Sequence, residues 1–92
     1  MIRSWADRAT EKFATEGKSR YSGLDEEAAA ELLAVLDAAT GLADLSPLKS
    51  VGLHKLKGGR RNQWAMTING PWRIVFRFAD GDAWEVEIVD YH

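Results

Sequence analysis

The chain has no cysteine, only two prolines and no long apolar run. Without cysteine, neither a disulfide nor a thiolate metal site can form, and this composition suits a reducing cytoplasm. No apolar segment approaches the roughly 20 residues that a membrane-spanning helix requires, and residues 1–8 lack the apolar core of a signal peptide. With 92 residues, the sequence predicts one soluble, cytoplasmic domain over residues 1–92 that does not enter a membrane.

Acidic residues are absent from the segment 45–79. This segment holds seven lysines and arginines, whereas the rest of the chain holds five basic and fourteen acidic residues. The formal net charge of −2 therefore conceals a polarised molecule. A basic stretch in a small domain is typical of a protein that binds a polyanion, either a nucleic acid or an acidic protein.

Helical periodicity is confined to the first half of the chain. Residues 7–15 predict a short helix, and residues 2–5 before it fit either a short strand or the entry to that helix. Asp25 stands at an N-cap position, followed by two acids in the first turn and then by apolar residues at a spacing of three and four. This pattern predicts a second helix over about 25–40 that ends at Gly41.

From residue 53 onward the apolar residues alternate, which is typical of strands. The alternation predicts strands around 64–69, 72–78 and 84–89, joined as consecutive antiparallel hairpins. We expect three-residue loops at 69–71 and 79–81, because these loops keep the apolar side chains of neighbouring strands on one face. The predicted fold is α+β, with two N-terminal helices packed on one face of a small antiparallel sheet whose other face is open.

The three-residue loops predict which residues pair across the hairpins. The expected apolar pairs are Ile68 with Trp72, Met66 with Ile74, Phe76 with Trp84, and Ile74 with Val86. Trp84 then lies on the core face of the sheet. Arg73 and Arg77 lie on the open face, where Glu87 and Glu85 are their expected cross-strand partners.

Residues that can carry chemistry occur around His54 and in the segment Asp90-Tyr91-His92. His54 is expected on a strand that precedes the loop with Lys57, and the sheet can bring both residues near Arg73, Tyr91 and His92. A zinc site is disfavoured because the chain has neither an HxH nor an HExxH spacing. The sequence therefore predicts no metal and no cofactor.

Several segments of the C-terminal half, together about 40 residues, carry a specific resemblance to a known family. They are His54-x-Leu56-Lys57-Gly58, Trp64, Asn69-Gly70-x-Trp72-Arg73-Ile74-x-Phe76-x-Phe78, Asp80-Gly81-Asp82-Ala83 and Asp90-Tyr91-His92. The pattern resembles the HigB toxins, the plasmid-maintenance killer branch of the RelE/ParE superfamily. The resemblance implies a type II toxin that cleaves mRNA in the ribosomal A site and inhibits translation. It also implies a HigA-like helix-turn-helix antitoxin, through which operator DNA is bound indirectly.

The resemblance maps the catalytic residues of the family onto His54, Asp90, Tyr91 and His92. Phosphate contacts fall on Lys57 and Arg73, and further RNA contacts on Arg60 and Arg61. Metal-independent cleavage of RNA requires a base for the 2′-hydroxyl, an acid for the leaving 5′-oxygen and cations at the phosphate. We assign His92 as the base, with His54 or Asp90 assisting, although the base and acid labels are interchangeable. Tyr91 can stack on a base or hydrogen-bond the phosphate.

Two other functions fit the same residues. A non-catalytic module of this fold would hold an antitoxin or another protein on its basic face and would cut nothing. A gyrase inhibitor would leave mRNA intact. Arg60 and Arg61 can also serve only to solubilise their loop, and the acidic helices can be a solvated face or a dock for a basic antitoxin segment.

Overall fold

Two helices lie against a four-stranded sheet in the computed structural model, which describes residues 1–17, 19, 21–45, 52–60 and 62–90. Helix α1 spans Arg8–Glu16 and helix α2 spans Glu26–Ala38. The strands are β1 (His54–Lys55), β2 (Trp64–Asn69), β3 (Trp72–Ala79) and β4 (Asp82–Asp90). They pair antiparallel in the order β1-β2-β3-β4. The predicted α+β architecture is confirmed.

The main core lies between the helices and one face of the sheet. The apolar stripe of α2 supplies Leu33 and Leu36, and α1 supplies Phe13. The sheet supplies the side chains that the alternation predicted for this face, namely Met66, Ile74, Phe76, Val86 and Ile88. Burial of this apolar surface is the main force that holds the helices on the sheet.

Both helices begin where an aspartate caps the first turn. The Asp7 carboxylate accepts a hydrogen bond from the Thr10 backbone N–H at 2.8 Å, and Asp25 accepts from Ala28 at 3.1 Å. Each cap satisfies a backbone donor that has no partner within the helix. The predicted starts of the two helices are therefore confirmed.

The end of α2 differs from the prediction. The helix ends at Ala38, and Gly41 is extended, with φ −160°, instead of left-handed. The Asp44 carboxylate accepts from the backbone N–H groups of Thr40 at 2.8 Å and Gly41 at 3.2 Å. These bonds begin a new 3-10 turn over Leu42–Asp44, so the chain leaves the helix before Gly41.

The hairpin between β2 and β3 has the predicted strands but a shorter turn. Met66 pairs with Ile74 as predicted, whereas Trp72 pairs with Asn69 and not with Ile68. The irregularity between Thr67 and Asn69 leaves Ile68 as the extra residue of a bulge. Asn69 is fixed in the strand by its side chain, which accepts from the backbone of Asp25 at 2.9 Å.

The hairpin between β3 and β4 also turns on two residues. Asp80 and Gly81 have φ values of +54° and +79°, which are typical of a type I′ turn. Trp84 therefore pairs with Arg77, so the predicted pairing of Phe76 with Trp84 is wrong. Trp84 is on the open face, with 38% of its surface exposed.

An irregularity further along β4 restores the apolar alternation. The register shifts between Val75 and Arg77, and Glu85 has a φ of +52°. One extra residue in β4 returns Val86 and Ile88 to the core face. The predicted pairs Ile74–Val86 and Arg73–Glu87 are replaced by Ile74–Ile88 and Arg73–Val89.

The segment 1–6 lies parallel to β4 and covers part of its outer edge. Single parallel bridges join Ile2 to Ala83 and Trp5 to Val86. Ser4 accepts twice, through its hydroxyl oxygen from the Glu85 N–H at 2.8 Å and through its carbonyl from Val86 at 3.1 Å. The backbone donors at the bulge are therefore satisfied, and the expectation of a short extended segment here is confirmed.

Thr10 continues this edge pairing from helix α1. Its side chain is fully buried, and its hydroxyl oxygen accepts from the Ile88 backbone N–H at 2.9 Å. The same oxygen lies 3.3 Å from the Tyr21 hydroxyl. A helix side chain thus supplies the acceptor that a fifth strand would otherwise provide.

We expect Thr10→Val to lower the free energy of unfolding by about 1–3 kcal/mol, because it leaves the buried Ile88 N–H without an acceptor. Urea denaturation measures the loss. Thr10→Ser retains the hydroxyl and should cost less than Thr10→Val. Thr15→Val removes a hydroxyl that bonds the Glu11 carbonyl on the exposed face of the same helix and should change stability by less than about 0.5 kcal/mol. Equal losses for the two valine variants would contradict this role of Thr10.

Asp82, the first residue of β4, makes the stability of the protein depend on pH. Its carboxylate accepts from the Arg3 guanidinium at 3.0 Å and lies 3.2 Å from the Met1 amino group. The Arg3 hydrogen bond, followed by that of the amino group, lowers the pKa of Asp82 below its ordinary value of 3.8. Because the folded pKa is depressed, this stabilisation is present above the unfolded pKa and is lost as the pH falls through the folded pKa.

Asp82→Asn should therefore be less stable than the parent protein at neutral pH, and the difference should shrink as the pH falls below about 4. Urea midpoints measured at a series of pH values test this. Arg3→Gln should show the same convergence, and the double variant should lose little beyond either single variant. A difference that stays constant down to pH 2 would argue against the pair.

Candidate functional site

The sheet face turned away from the helices, which we call the open face, has a small apolar floor. Leu56, Ala65 and Val75 are buried there, and Val89 packs against them. Leu56 comes from the loop between β1 and β2 and covers the other side chains. The alternation placed Val75 on this face, but the covering Leu56 was not predicted.

His54 stands beside this floor. It pairs with Ala65, which pairs with Val75, which pairs with Glu87. Directly opposed residues of neighbouring strands project from the same face, so the four side chains form one row across the open face. His54 is exposed at the end of that row.

One ring nitrogen of His54 is fixed by the backbone. Nδ1 lies 2.9 Å from the Gly52 carbonyl oxygen. A carbonyl only accepts, so Nδ1 must carry the proton of this bond. In the neutral ring the lone pair then resides on Nε2, and this nitrogen is the one available for proton transfer.

The backbone at Gly52 requires glycine. Its φ is +57°, and a Cβ atom would lie 3.2 Å from the Thr67 hydroxyl oxygen. The carbonyl that orients His54 is therefore held by a conformation and a close approach that favour glycine. Thr67 in turn pairs with Arg73 across the two strands. Gly52, whose carbonyl orients His54, and Arg73 therefore both lie next to the Thr67 side chain.

Arg73 lies on the open face, as predicted, but with different partners. Its Nη1 atom donates to the carbonyl oxygens of Gly70 at 2.7 Å and Trp72 at 3.0 Å. These bonds hold the guanidinium at the turn between β2 and β3. Arg73 pairs with Val89 in β4, and the predicted cross-strand partnership with Glu87 is wrong because of the bulge at Glu85.

The loop between β1 and β2 carries Lys57. The loop is closed by the Leu56 N–H, which donates to the Gln63 carbonyl at 2.9 Å, and it includes a 3-10 turn over Gly58–Arg60. Lys57 is exposed next to the buried Leu56. The Arg60 side chain and the whole of Arg61 lie outside the described residues.

Asp90 is not brought to the same place. It is exposed and pairs with Trp72 at the end of β4. Residues Trp72 and Ile88 belong to the helix side of the sheet, so alternation puts Asp90 on the side opposite His54 and Arg73. The remaining two predicted site residues, Tyr91 and His92, lie outside the described residues.

The open face also carries a pair near the turn between β3 and β4. Arg77 Nη1 lies 3.8 Å from a Glu85 carboxylate oxygen, and this predicted cross-strand partnership is confirmed. Trp84 beside them was missed as an open-face residue. The Asp80-Gly81 dipeptide was the available signal, because it favours a two-residue turn.

The described residues contain neither a metal-binding cluster nor a membrane-spanning helix. No three His, Cys, Asp or Glu side chains among them are placed to hold a metal ion. No helix in this part of the chain is both long and apolar enough to cross a membrane.

The amino-acid sequence of nearly the whole chain matches a family of toxins. Residues 3–92 match the HigB-like toxin family, described as the RelE-like toxin of type II toxin-antitoxin system HigB. The chain belongs to this family of toxins, and the type II system implies an antitoxin partner. The chain is also similar to Endoribonuclease HigB of Proteus vulgaris, with 32% identity over 93 residues that cover 100% of both chains.

The tautomer of His54 is open to direct measurement. We expect ¹⁵N NMR of the neutral imidazole to show a protonated Nδ1, because this atom donates to the Gly52 carbonyl. A His92→Gln variant leaves His54 as the single histidine and simplifies the spectrum. Gly52→Ala, which disturbs the acceptor, should return His54 toward the Nε2–H form. A neutral His54 that is mainly Nε2–H in the parent protein would contradict the geometry.

Proposed function

We propose that this toxin is a metal-independent, ribosome-dependent mRNA endonuclease in which one toxin domain, residues 1–92, cuts mRNA in the ribosomal A site. The observation that carries the proposal is the placement of His54 and Arg73 on one exposed face, each oriented by backbone carbonyls. A proton-transfer group and a fixed cation are two of the elements that phosphodiester cleavage needs. The relative from Proteus vulgaris, named as an endoribonuclease, supports the same reaction.

The reaction begins at the RNA itself. The base removes the proton of a ribose 2′-hydroxyl, and the 2′-oxygen attacks the adjacent phosphorus. The bond from phosphorus to the 5′-oxygen breaks, an acid protonates that oxygen, and a 2′,3′-cyclic phosphate remains. We assign the base to His54, whose neutral ring presents the Nε2 lone pair, and the acid to His92. This exchanges the two labels inferred from the sequence.

Arg73 and Lys57 bind the phosphate. The Nη1 atom of Arg73 is engaged with the turn, so we assign Nε and Nη2 to the two phosphate oxygens. A guanidinium held in this way loses little freedom when it binds and stabilises the charge that develops on phosphorus. Lys57 adds a second, exposed cation from the neighbouring loop.

The other predicted residues have supporting roles. Tyr91 stacks on a base or bonds the phosphate. Because alternation places Asp90 on the other side of the sheet, we assign it to orienting the C-terminal residues and not to contact with the phosphate that His54 serves. Arg60 and Arg61 are assigned to RNA contacts along the loop.

The setting of the activity follows from the proposed substrate. Ribosomes engaged in translation place the protein in the cytoplasm. We propose a HigA-like helix-turn-helix antitoxin as the partner, which would bind operator DNA and carry the toxin there indirectly.

Single-turnover cleavage of a defined mRNA on purified ribosomes tests the proposal. We expect new, codon-phased 5′ ends with the parent protein, and a loss of about 10²-fold or more in rate for His54→Ala. Arg73→Ala should lose about 10²-fold because a fixed donor to the phosphate is removed.

Matched variants separate chemistry from folding and charge. Lys55→Ala changes the neighbour of His54 on β1, whose side chain alternates to the other face. Arg8→Ala removes one positive charge from exposed α1. Both should cleave at the parental rate, and the His54, Arg73, Lys55 and Arg8 variants should all still bind the antitoxin. Intact mRNA with the parent protein, together with antitoxin binding, would favour the non-catalytic module instead.

A further inference from the structure

Trp84 is a large aromatic side chain that the core does not absorb. It is 38% exposed, and among the described residues only Met1 is a comparably exposed large hydrophobic side chain. An exposed indole is unfavourable in water unless something covers it. The exposed part of this side chain is therefore available for contact with a ligand.

The backbone of β4 determines the position of this indole. The turn at Asp80-Gly81 places Trp84 opposite Arg77 on the open face, and the bulge at Glu85 then returns the following residues to the core. Glu85 adopts a φ of +52°, which is uncommon for a residue other than glycine. Bulges that re-aim a side chain are frequent beside functional sites.

The polar edge of the indole is already engaged. The Nε1–H of Trp84 donates to the Ala79 carbonyl oxygen at 3.1 Å. The ring is thus fixed to the turn by its N–H, and a ligand would contact it through the aromatic surface. An aromatic surface accepts any nucleobase by stacking, without a hydrogen-bond code.

The indole lies along the same face as the proposed catalytic residues. Arg77, its partner, is two residues along β3 from Val75, which belongs to the His54 row. This is about 7 Å along the strand, and His54 on β1 is three strands away from β4, so at about 4.8 Å per strand the indole lies roughly 16 Å from the histidine. A few nucleotides of one RNA strand can span this distance. Stacking of bases on an exposed sheet face is an established mode of RNA recognition.

The charges around Trp84 favour a base over a phosphate. Glu85 lies next to it in sequence, and Glu87 also belongs to the open face. Glu85 is already paired with Arg77 at 3.8 Å, so this cation is engaged and does not attract the RNA backbone above β4, whereas an uncharged base needs no cation there. The cations that attract the backbone, Arg73 and Lys57, lie toward the other strands.

We propose that Trp84 is a stacking platform for a base of the mRNA that lies a few nucleotides from the cleaved bond. This deepens the proposed endonuclease function and rests on it. The platform contributes to RNA binding and not to the proton transfers. Its loss should therefore weaken association with the substrate and leave the rate of the bound complex unchanged.

The test uses ribosomes programmed with an mRNA in which 2′-O-methyl groups prevent cleavage. Trp84→Leu keeps an apolar side chain without an aromatic surface and should weaken toxin binding about tenfold. Trp84→Phe restores an aromatic ring and should recover most of the affinity. With unmodified mRNA, Trp84→Leu should raise the half-saturating toxin concentration and keep the rate at saturation.

An abasic nucleotide identifies the stacked base. Abasic nucleotides are placed one at a time in and around the A-site codon. At one position the abasic nucleotide should weaken binding of the parent protein but should not weaken binding of Trp84→Leu, because this variant has already lost the stacking contact. Parental affinity for Trp84→Leu, or equal losses for the leucine and phenylalanine variants, would overturn the proposal. So would absent binding by the parent protein, or a Trp84→Leu variant that loses only antitoxin affinity.

The same experiment separates the two ideas. If the parent protein binds the modified mRNA through Trp84 but leaves unmodified mRNA intact, the endonuclease proposal fails and the platform stands. If cleavage occurs at the parental rate and affinity in Trp84→Leu, the platform fails and the endonuclease proposal stands.

Discussion

The extra residue at Glu85 is the constraint on which the rest of the sheet depends. A two-residue turn at Asp80-Gly81, continued without interruption, would direct the acidic residues of β4 toward the helices. The bulge shifts the register, so Val86 and Ile88 reach the core instead. Ser4 stabilises the irregularity by accepting from the backbone N–H groups at the bulge. The two-residue turn therefore requires the bulge, and the N-terminal segment stabilises the bulge.

The helices and strands could be predicted because their signals are local. Asp7 and Asp25 cap the helices that follow them, and alternation marks the strands. The register could not be predicted, because alternation restricts only which residues share a face. Val86 and Ile88 reach the core face with either of two arrangements: a three-residue loop without a bulge, or a two-residue loop followed by a bulge. Ser4, 81 residues away from Glu85, helps to stabilise the second solution.

The candidate site, like the fold, could be predicted from the sequence only in part. Alternation placed Arg73 on the open face, and His54 was expected on a strand that the sheet could bring near it; both lie on that face. The carbonyls that orient them belong to irregular backbone at Gly52 and the turn near Gly70, for which the sequence gives no periodic signal. Asp90 was grouped with them through the resemblance to the toxin family, yet strand alternation puts it on the other side of the sheet. Proximity along a strand is a poor guide to proximity on a face.

The docking of the segment 1–6 on β4 has a consequence for synthesis of the protein. Ile2 contacts residue 83, and Thr10 bonds residue 88, so the first part of the chain finds its partners only after nearly all of it has been made. Contacts of such sequence separation slow folding because a large loop must close first. A chain that stops before β4 lacks the edge on which its own beginning rests. Because such a fragment also lacks the core residues Ala83, Val86 and Ile88, we expect premature termination to yield a chain that does not fold.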